Sequence, residues 1–405
     1  MMSPMTWAAL VALAVWLILM FFRGRFWFAD QHLSPAAKDA PPGGWPSVAV
    51  VIPARNEAGA IGPTVASVLG QDYPGRIDLF VVDDNSTDAT AAEAGAAADA
   101  AGAADRFHLV AGKPLEGGWS GKLWAVNQGL EAAGQAAPDA PFVLLTDADI
   151  KHDRQNLRRL MQKAQLENRD LVSLMVKLNC ETGWEKLLIP AFIFFFQKLF
   201  PFPWVNNPVD RTAAAAGGCM LVRRDALKAA GGIAAIKGRL IDDCALAVLL
   251  KARGAIWLGL SRETVSLRRY DRLGEIWSMV ARTAYEQLNH SLLMLLGTVA
   301  GMVLLYLAPP AAVVWGLAAG EGNTLLAGAA GWLVMAITYF PTLRLYGQPV
   351  WTAPVLPVAG FLYTLMTVDS ARRHGQGRGG GWKGRTYAGG TAAPDRDSHA
   401  RFFDM

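Results

Sequence analysis

The chain has 405 residues, room for more than one domain, and 52% of them are hydrophobic, above the balance of an ordinary soluble protein. Its net charge of +4 is mild, which speaks against a nucleic-acid partner and fits basic residues facing a membrane. Cys180, Cys219 and Cys244 are odd in number and lack metal-ligand or redox spacing, so they read as reduced, buried cysteines. The six histidines form no ligand pattern either.

Residues 1–22 carry no charged side chain, and 6–22 are apolar enough to span a bilayer. No positive segment precedes them and no small-x-small cleavage site follows. Arg23 and Arg25 come directly after, so residues 1–30 read as an uncleaved anchor with the next domain in the cytoplasm. Residues 31–46, rich in Pro, Gly and Ala, form a linker.

From Ser47 the pattern becomes strand–helix alternation, the signature of a mainly parallel α/β sheet. Strands are expected over 48–53, 77–82, 107–110, 142–146, 171–178 and 217–222. Helices are expected over 58–69, 89–103, 122–133, 224–229 and 243–252. Segment 184–205 is aromatic and Pro-punctuated, with Gln197 and Lys198 interrupting it, and reads as an interfacial segment. Three charge-free stretches follow, 291–320, 322–343 and 345–368, each long enough to cross a membrane.

An anchor plus three crossings puts the C-terminal tail outside. Yet Arg372, Arg373, Arg378, Lys383 and Arg385 favour the cytoplasm. Pro309 and Pro310, or Pro354 and Pro357, mark where a stretch can instead be a hairpin, a re-entrant segment or an interfacial helix. The crossing count stays open. The expected organisation is an anchor (1–30), a linker (31–46) and a cytoplasmic α/β domain (47–270). Interfacial and transmembrane helices (271–369) and a basic, partly disordered tail (370–405) complete it.

The strand 142–146 runs into Asp147-Ala148-Asp149. Carboxylates two residues apart on extended chain face the same way and can share one hard cation, Mg2+ or Mn2+. Open α/β sheets bind ligands at this edge. The first strand ends in Pro53-Ala54-Arg55-Asn56-Glu57, and the second in Asp83-Asp84-Asn85-Ser86-Thr87-Asp88. Three successive strand ends thus bring polar groups to one edge. Gly217-Gly218 permits close approach of a substrate, and Asp242-Asp243 follows before a helix.

These motifs, with Gly121-Lys122-x-x-Ala125-x-Asn127-x-Gly129 between them, resemble glycosyltransferase family 2 with its GT-A fold, over roughly 48–252. The fold class implied is a doubly wound, mainly parallel α/β sheet between an N-terminal anchor and C-terminal transmembrane helices. The resemblance implies a nucleotide-sugar donor with Pro53, Ala54, Arg55, Glu57, Asp83, Asp84, Lys122 and Asp147 around it. It implies a divalent cation on Asp147 and Asp149, and Asp243 as the base of an inverting transfer. Asp242-Asp243-Cys244-Ala245-Leu246 carries Asp where the family usually has Glu. Gly217, Gly218 and Asp242 are expected near the acceptor or phosphate, as are Trp382, Lys383 and Arg385 of the tail.

Residues 281–288 depart from the Gln-x-x-Arg-Trp motif of processive members, which speaks against polymer synthesis. The anchor, the 187–196 run, residues 213–222 and the terminal Trp-Lys-Gly-Arg are similar to bacterial hopene-associated glycosyltransferases. That implies a multi-pass protein of the bacterial inner membrane with a lipid acceptor, a UDP-sugar as donor and a role in hopanoid or related isoprenoid lipid biosynthesis. A polyprenyl-phosphate glycosyltransferase and a non-catalytic membrane scaffold are the alternatives. Oligomeric state stays open.

Overall fold

The computed structural model describes residues 2–37, 39–378, 381–382 and 385–386. Helix α1 (Pro4–Phe22) is capped by the Ser3 hydroxyl, with Pro4 in its first turn, where a missing N–H costs nothing. The domain then runs β1 (Val48–Ala54), α2 (Ile61–Leu69), β2 (Ile77–Asp83), α3 (Thr90–Ala100), β3 (Phe107–Ala111) and α4 (Gly121–Ala136). It continues through β4 (Phe142–Thr146), β5 (Ile150–Lys151), α5 (Asn156–Leu166), β6 (Arg169–Lys177), α6 (Gly183–Leu199) and α7 (Phe202–Asn206). Strand β7 (Cys219–Arg223), α8 (Arg224–Ala229), α9 (Asp242–Lys251) and β8 (Ala255–Ser266) close it.

The sheet has eight strands in the order β3-β2-β1-β4-β7-β6-β8-β5. Strands β3, β2, β1 and β4 pair in parallel, as do β6 and β8, while β7 runs antiparallel between β4 and β6. The sheet is therefore mixed, with its parallel half carrying the motif loops. Strand β8, twelve residues long, was not expected: only its first half is a continuous apolar run, and Ser261-Arg262-Glu263 breaks the alternation.

Both faces are covered, which explains the near-continuous apolar strands. Val48, Val50, Ile52, Leu79 and Val81 pack under α2, α3 and α5. Ala49, Val51 and Phe80 face α4, in a core that runs without a break through α6 to Trp16, Tyr306 and Tyr339 of the apolar helices. A Cβ on Gly129 of α4 would lie 2.4 Å from Val51 Cγ1, so glycine is what lets α4 close onto the strands.

Beyond the domain come α10 (Leu273–Ala281), α11 (Ala284–Gln287), α12 (Leu292–Met302), a π-turn at Val303–Leu307, α13 (Ala308–Ala319), α14 (Gly322–Leu345) and α15 (Leu356–Gly375). Helices α1 and α14 run in parallel: Ser3 Oγ donates to Glu321 at 2.7 Å and Thr6 and Thr324 hydroxyls meet at 2.6 Å at one end. The α12–α13 rod runs antiparallel to α14, with Gly316 against Leu325 and Gly328 against Pro309.

The last apolar stretch does not repeat this pattern. The Trp332 indole donates to Pro354 O at 3.0 Å, so α15 starts beside the middle of α14. It then returns to the domain, where Trp277 Nε1 donates to Asp369 and Tyr285 N to Ser370. From Leu356 to Asp369 the rise is about 20 Å, short of the ~30 Å hydrocarbon layer. Residues 346–356 therefore turn the chain back alongside α14. Helix α6 is wedged between sheet and apolar helices, with Leu188, Ile189, Ile193 and Phe194 fully buried and Tyr363 Oη donating to Leu188 O. A helix apolar on nearly all sides buries in this way.

Candidate active site

The site forms at the carboxyl edge of the parallel strands. Ala54 and Asp83 are direct partners in the β1–β2 register, so the two motif turns start side by side. Asn56 and Asn85 both adopt the left-handed region, at φ 50° and 54°, which short amide side chains tolerate. The turns lock together: Asn56 N donates to Ser86 Oγ at 3.0 Å and Thr87 N to Asn56 Oδ1 at 2.8 Å. Arg55 Nη1 donates to Asp84 O at 2.5 Å, while Asp83 Oδ1 accepts from Ser86 N at 3.0 Å. Asp84 is fully buried.

Between β4, α4 and α9 lies a narrow recess with Pro53, Lys122, Asp147, Gly217 and Asp242 on its walls. Ser120 caps α4 and sets Lys122 in its first turn. Lys122 Nζ lies 2.9 Å from Asp147 Oδ1 and 3.2 Å from Asp242 Oδ2, joining the end of β4 to the start of α9. Burial works against the charged lysine, but Asp147 and Asp242 outweigh it and hold it protonated above its ordinary range.

Asp149 Oδ2 accepts from Arg268 Nε at 2.8 Å, and the same guanidinium reaches Glu57 Oε1 at 3.2 Å. Arg268 just beyond β8 thus ties the β4 turn to the β1 turn. The two carboxylates of the Asp147-Ala148-Asp149 turn each give one oxygen to a cation, Asp147 Oδ1 to Lys122 and Asp149 Oδ2 to Arg268. Asp147 Oδ2 and Asp149 Oδ1 keep no protein partner among the described residues. No group of three or more His, Cys, Asp or Glu among the described residues could hold a metal by itself. The donor set fits a hard cation that completes its shell with phosphate oxygens and water.

Asp243 sits in the first turn of α9. Its Oδ2 accepts from Gly217 N at 2.9 Å and its Oδ1 from Cys244 N at 2.7 Å. A Cβ on Gly217 would stand 3.2 Å from Lys122 Nζ and 3.5 Å from Asp243 Oδ2, so glycine leaves these two groups facing one space. Burial pushes the Asp243 carboxyl up to about 6, and neighbouring Asp242 adds to this against Lys122 and the two N–H groups. A carboxylate poised there takes a proton near neutral pH.

Beneath the turn, the His152 ring joins Thr146 Oγ1 at 3.0 Å and Asn156 Nδ2 at 3.0 Å, while Thr146 Oγ1 donates to Gly218 O at 2.7 Å. This buried relay fixes the end of β4 against the Gly217–Gly218 segment. Desolvation pushes His152 down to about 4, so the folded protein holds it neutral. The folded pKa lies below the free value of 6.5, so its contribution is complete above pH 6.5 and is lost as pH falls towards 4. The span corresponds to roughly 3 kcal/mol. His152→Gln is expected to flatten the acid side of the unfolding-midpoint profile relative to wild type; parallel profiles would contradict this role.

The structure thus gathers Pro53, Lys122, Asp147, Asp149, Gly217, Asp242 and Asp243 around one recess, with Ala54, Arg55, Glu57, Asp83 and Asp84 in the adjoining turns. Gly218 lies behind, packed towards Val176. Lys383 lies outside the described residues, and the side chains of Trp382 and Arg385 are likewise outside them; only the backbone pairing of 381–382 with 385–386 is described. Sequence reasoning missed Arg268 and His152. An Arg-Arg pair just past a strand was the available signal for the first.

Residues 49–231, within the α/β domain, match the family model described as Glycosyl transferase family 2, which supports a glycosyltransferase. An N-acetylglucosaminyltransferase of Mesorhizobium japonicum (strain LMG 29417 / CECT 9101 / MAFF 303099) is 41% identical over 63 residues, 15% of this chain and 15% of that protein. The chain therefore matches less than a sixth of the length of that curated relative. Among solved structures, the mannosyltransferase from Pyrobaculum calidifontis in complex with GDP-Man and Mn2+ aligns over 90% of this chain and 99% of that chain. Its TM-score is 0.52 at 18% identity, a likeness of fold.

Proposed function

We propose that the protein is an inverting, metal-dependent glycosyltransferase that moves a sugar from a nucleotide-sugar, a UDP-sugar by expectation, to a membrane lipid. The acceptor belongs to hopanoid or related isoprenoid lipid biosynthesis in this reading. One observation carries it: Lys122 and Asp243 face the same space across Gly217, with the Asp147–Asp149 turn on the other side of Lys122. The donor diphosphate lies against Lys122, whose ammonium opposes the charge gained as the anomeric C–O bond breaks. Asp243 Oδ2 takes the proton of the acceptor hydroxyl as its oxygen bonds to the anomeric carbon from the opposite side. Asp147 and Asp149 would hold Mg2+ or Mn2+, which neutralises charge on the departing nucleoside diphosphate. The Pyrobaculum calidifontis mannosyltransferase, solved with GDP-Man and Mn2+, supports that class of donor and cation.

The four helices long and apolar enough to cross a membrane support a bilayer setting. In this reading α1, α12–α13 and α14 cross, while α15 belongs to a re-entrant hairpin, so the chain crosses three times. Arg23, Arg25 and Arg344 then lie at the domain's end of the bundle, with Arg372 and Arg373 beside them, which favours the cytoplasm of a bacterial inner membrane. NMR of the product made from an α-linked donor tests the chemistry. A β-linked product is expected, and an α-linked one contradicts a direct displacement assisted by Asp243.

A further inference from the structure

Where the apolar helices meet the α/β domain, a second cavity opens that shares no lining residue with the donor recess. Trp27 and Phe28 after α1, Ile337, Phe340 and Arg344 of α14, and Arg262 of β8 line it. Its space of ≈ 430 Å³ is enough for a polar headgroup and the first part of a chain. Some arginines of the domain are paired, Arg76 with Asp78, Arg159 with Glu263 and Arg268 with Asp149. The side chains of Arg262 and Arg344 have no hydrogen-bond or ion-pair partner among the described residues, and no carboxylate lines the cavity. Arg25 adds a third guanidinium, stacked 4.4 Å over the Phe28 ring.

The cavity sits at the arginine-rich end of the parallel α1–α14 pair, with an indole at the same level. Two guanidiniums facing an uncompensated space match a phosphate group, which their forks grip in two-point fashion. Apolar Ile337 and Phe340, further back along α14 than Arg344, continue from that polar end into the bundle. The geometry points to a binding site for an anionic, phosphate-bearing membrane lipid, its headgroup between Arg262 and Arg344 and its chain along α14. This site rests on the membrane reading above but not on the transfer chemistry.

Native mass spectrometry of the full chain released from detergent tests it, with phosphatidylglycerol and phosphatidylcholine as probes. Wild type is expected to retain phosphatidylglycerol at least tenfold more strongly than phosphatidylcholine. Arg262→Gln with Arg344→Gln is expected to erase that preference while nucleotide binding and the unfolding midpoint stay at wild-type values. Both side chains are exposed, so the fold does not depend on them. Equal retention of the two lipids by wild type overturns the proposal, as does an unchanged preference in the double variant. Displacement of the lipid by millimolar inorganic phosphate would show a free-phosphate site instead and also overturn it. A chain recovered in the aqueous phase without detergent would sink the membrane reading, whereas an embedded chain with no lipid preference sinks this site alone.

Discussion

Asp243→Asn is expected to lower kcat by about 10²–10⁴-fold, the usual contribution of a positioned general base. Donor affinity should stay within about twofold, because Asp243 lies across Gly217 from Lys122 and makes no contact with the Asp147–Asp149 turn. Wild-type kcat/KM should fall tenfold per pH unit below about pH 6, since burial and Asp242 raise the Asp243 carboxyl to about 6 and only the ionised form accepts a proton. The asparagine variant keeps one of the two acceptor oxygens that Gly217 N and Cys244 N now share, so its α9 start should remain in place. Near-wild-type turnover with intact donor binding would move the base elsewhere, Asp242 on the recess wall being next in line.

Asp149→Asn is expected to weaken Mn2+-supported nucleotide binding about 10–100-fold, in the range seen when a metal site loses an oriented ligand or its support. The change should be large only with the cation present. Without it, calorimetry should give the same weak nucleotide affinity for variant and wild type. The substitution also removes one of two carboxylates from Arg268, leaving it to Glu57. Asp147→Asn should act similarly while also loosening Lys122, which then pairs with Asp242 alone. Identical metal dependence in wild type and the Asp149 variant would show that this carboxylate serves only to seat Arg268.

The parallel half of the sheet was legible because its strands are apolar on both faces and end in short polar turns. Strand β4 occupies the expected 142–146, and β1 and β2 extend by one residue. The long β8 was hidden because Ser261, Arg262 and Glu263 interrupt its apolar run, and β5 is too short to carry a period. Parallel neighbours bring Pro53 and Asp147 to one edge, while Lys122 was placed there only by the family resemblance. Arg268 was not legible: it reaches Asp149 from 119 residues away, and only the fold supplies that distance. Nor was His152, a single imidazole whose partners come from three segments. The membrane parity problem arose from counting apolar length alone. Trp332 bonded to Pro354 O shows what composition does not, namely that the last stretch turns back halfway.

The central claim is sugar transfer from a nucleotide-sugar to a lipid. Its most direct measurement incubates the purified full chain in detergent with a panel of nucleotide-sugars, Mn2+ and a bacterial lipid extract, then analyses the lipids by mass spectrometry. A lipid gaining the mass of one glycosyl residue, with wild type but not with Asp243→Asn, is the predicted result. No new glycolipid with any donor, from protein that still binds nucleotide, would contradict it.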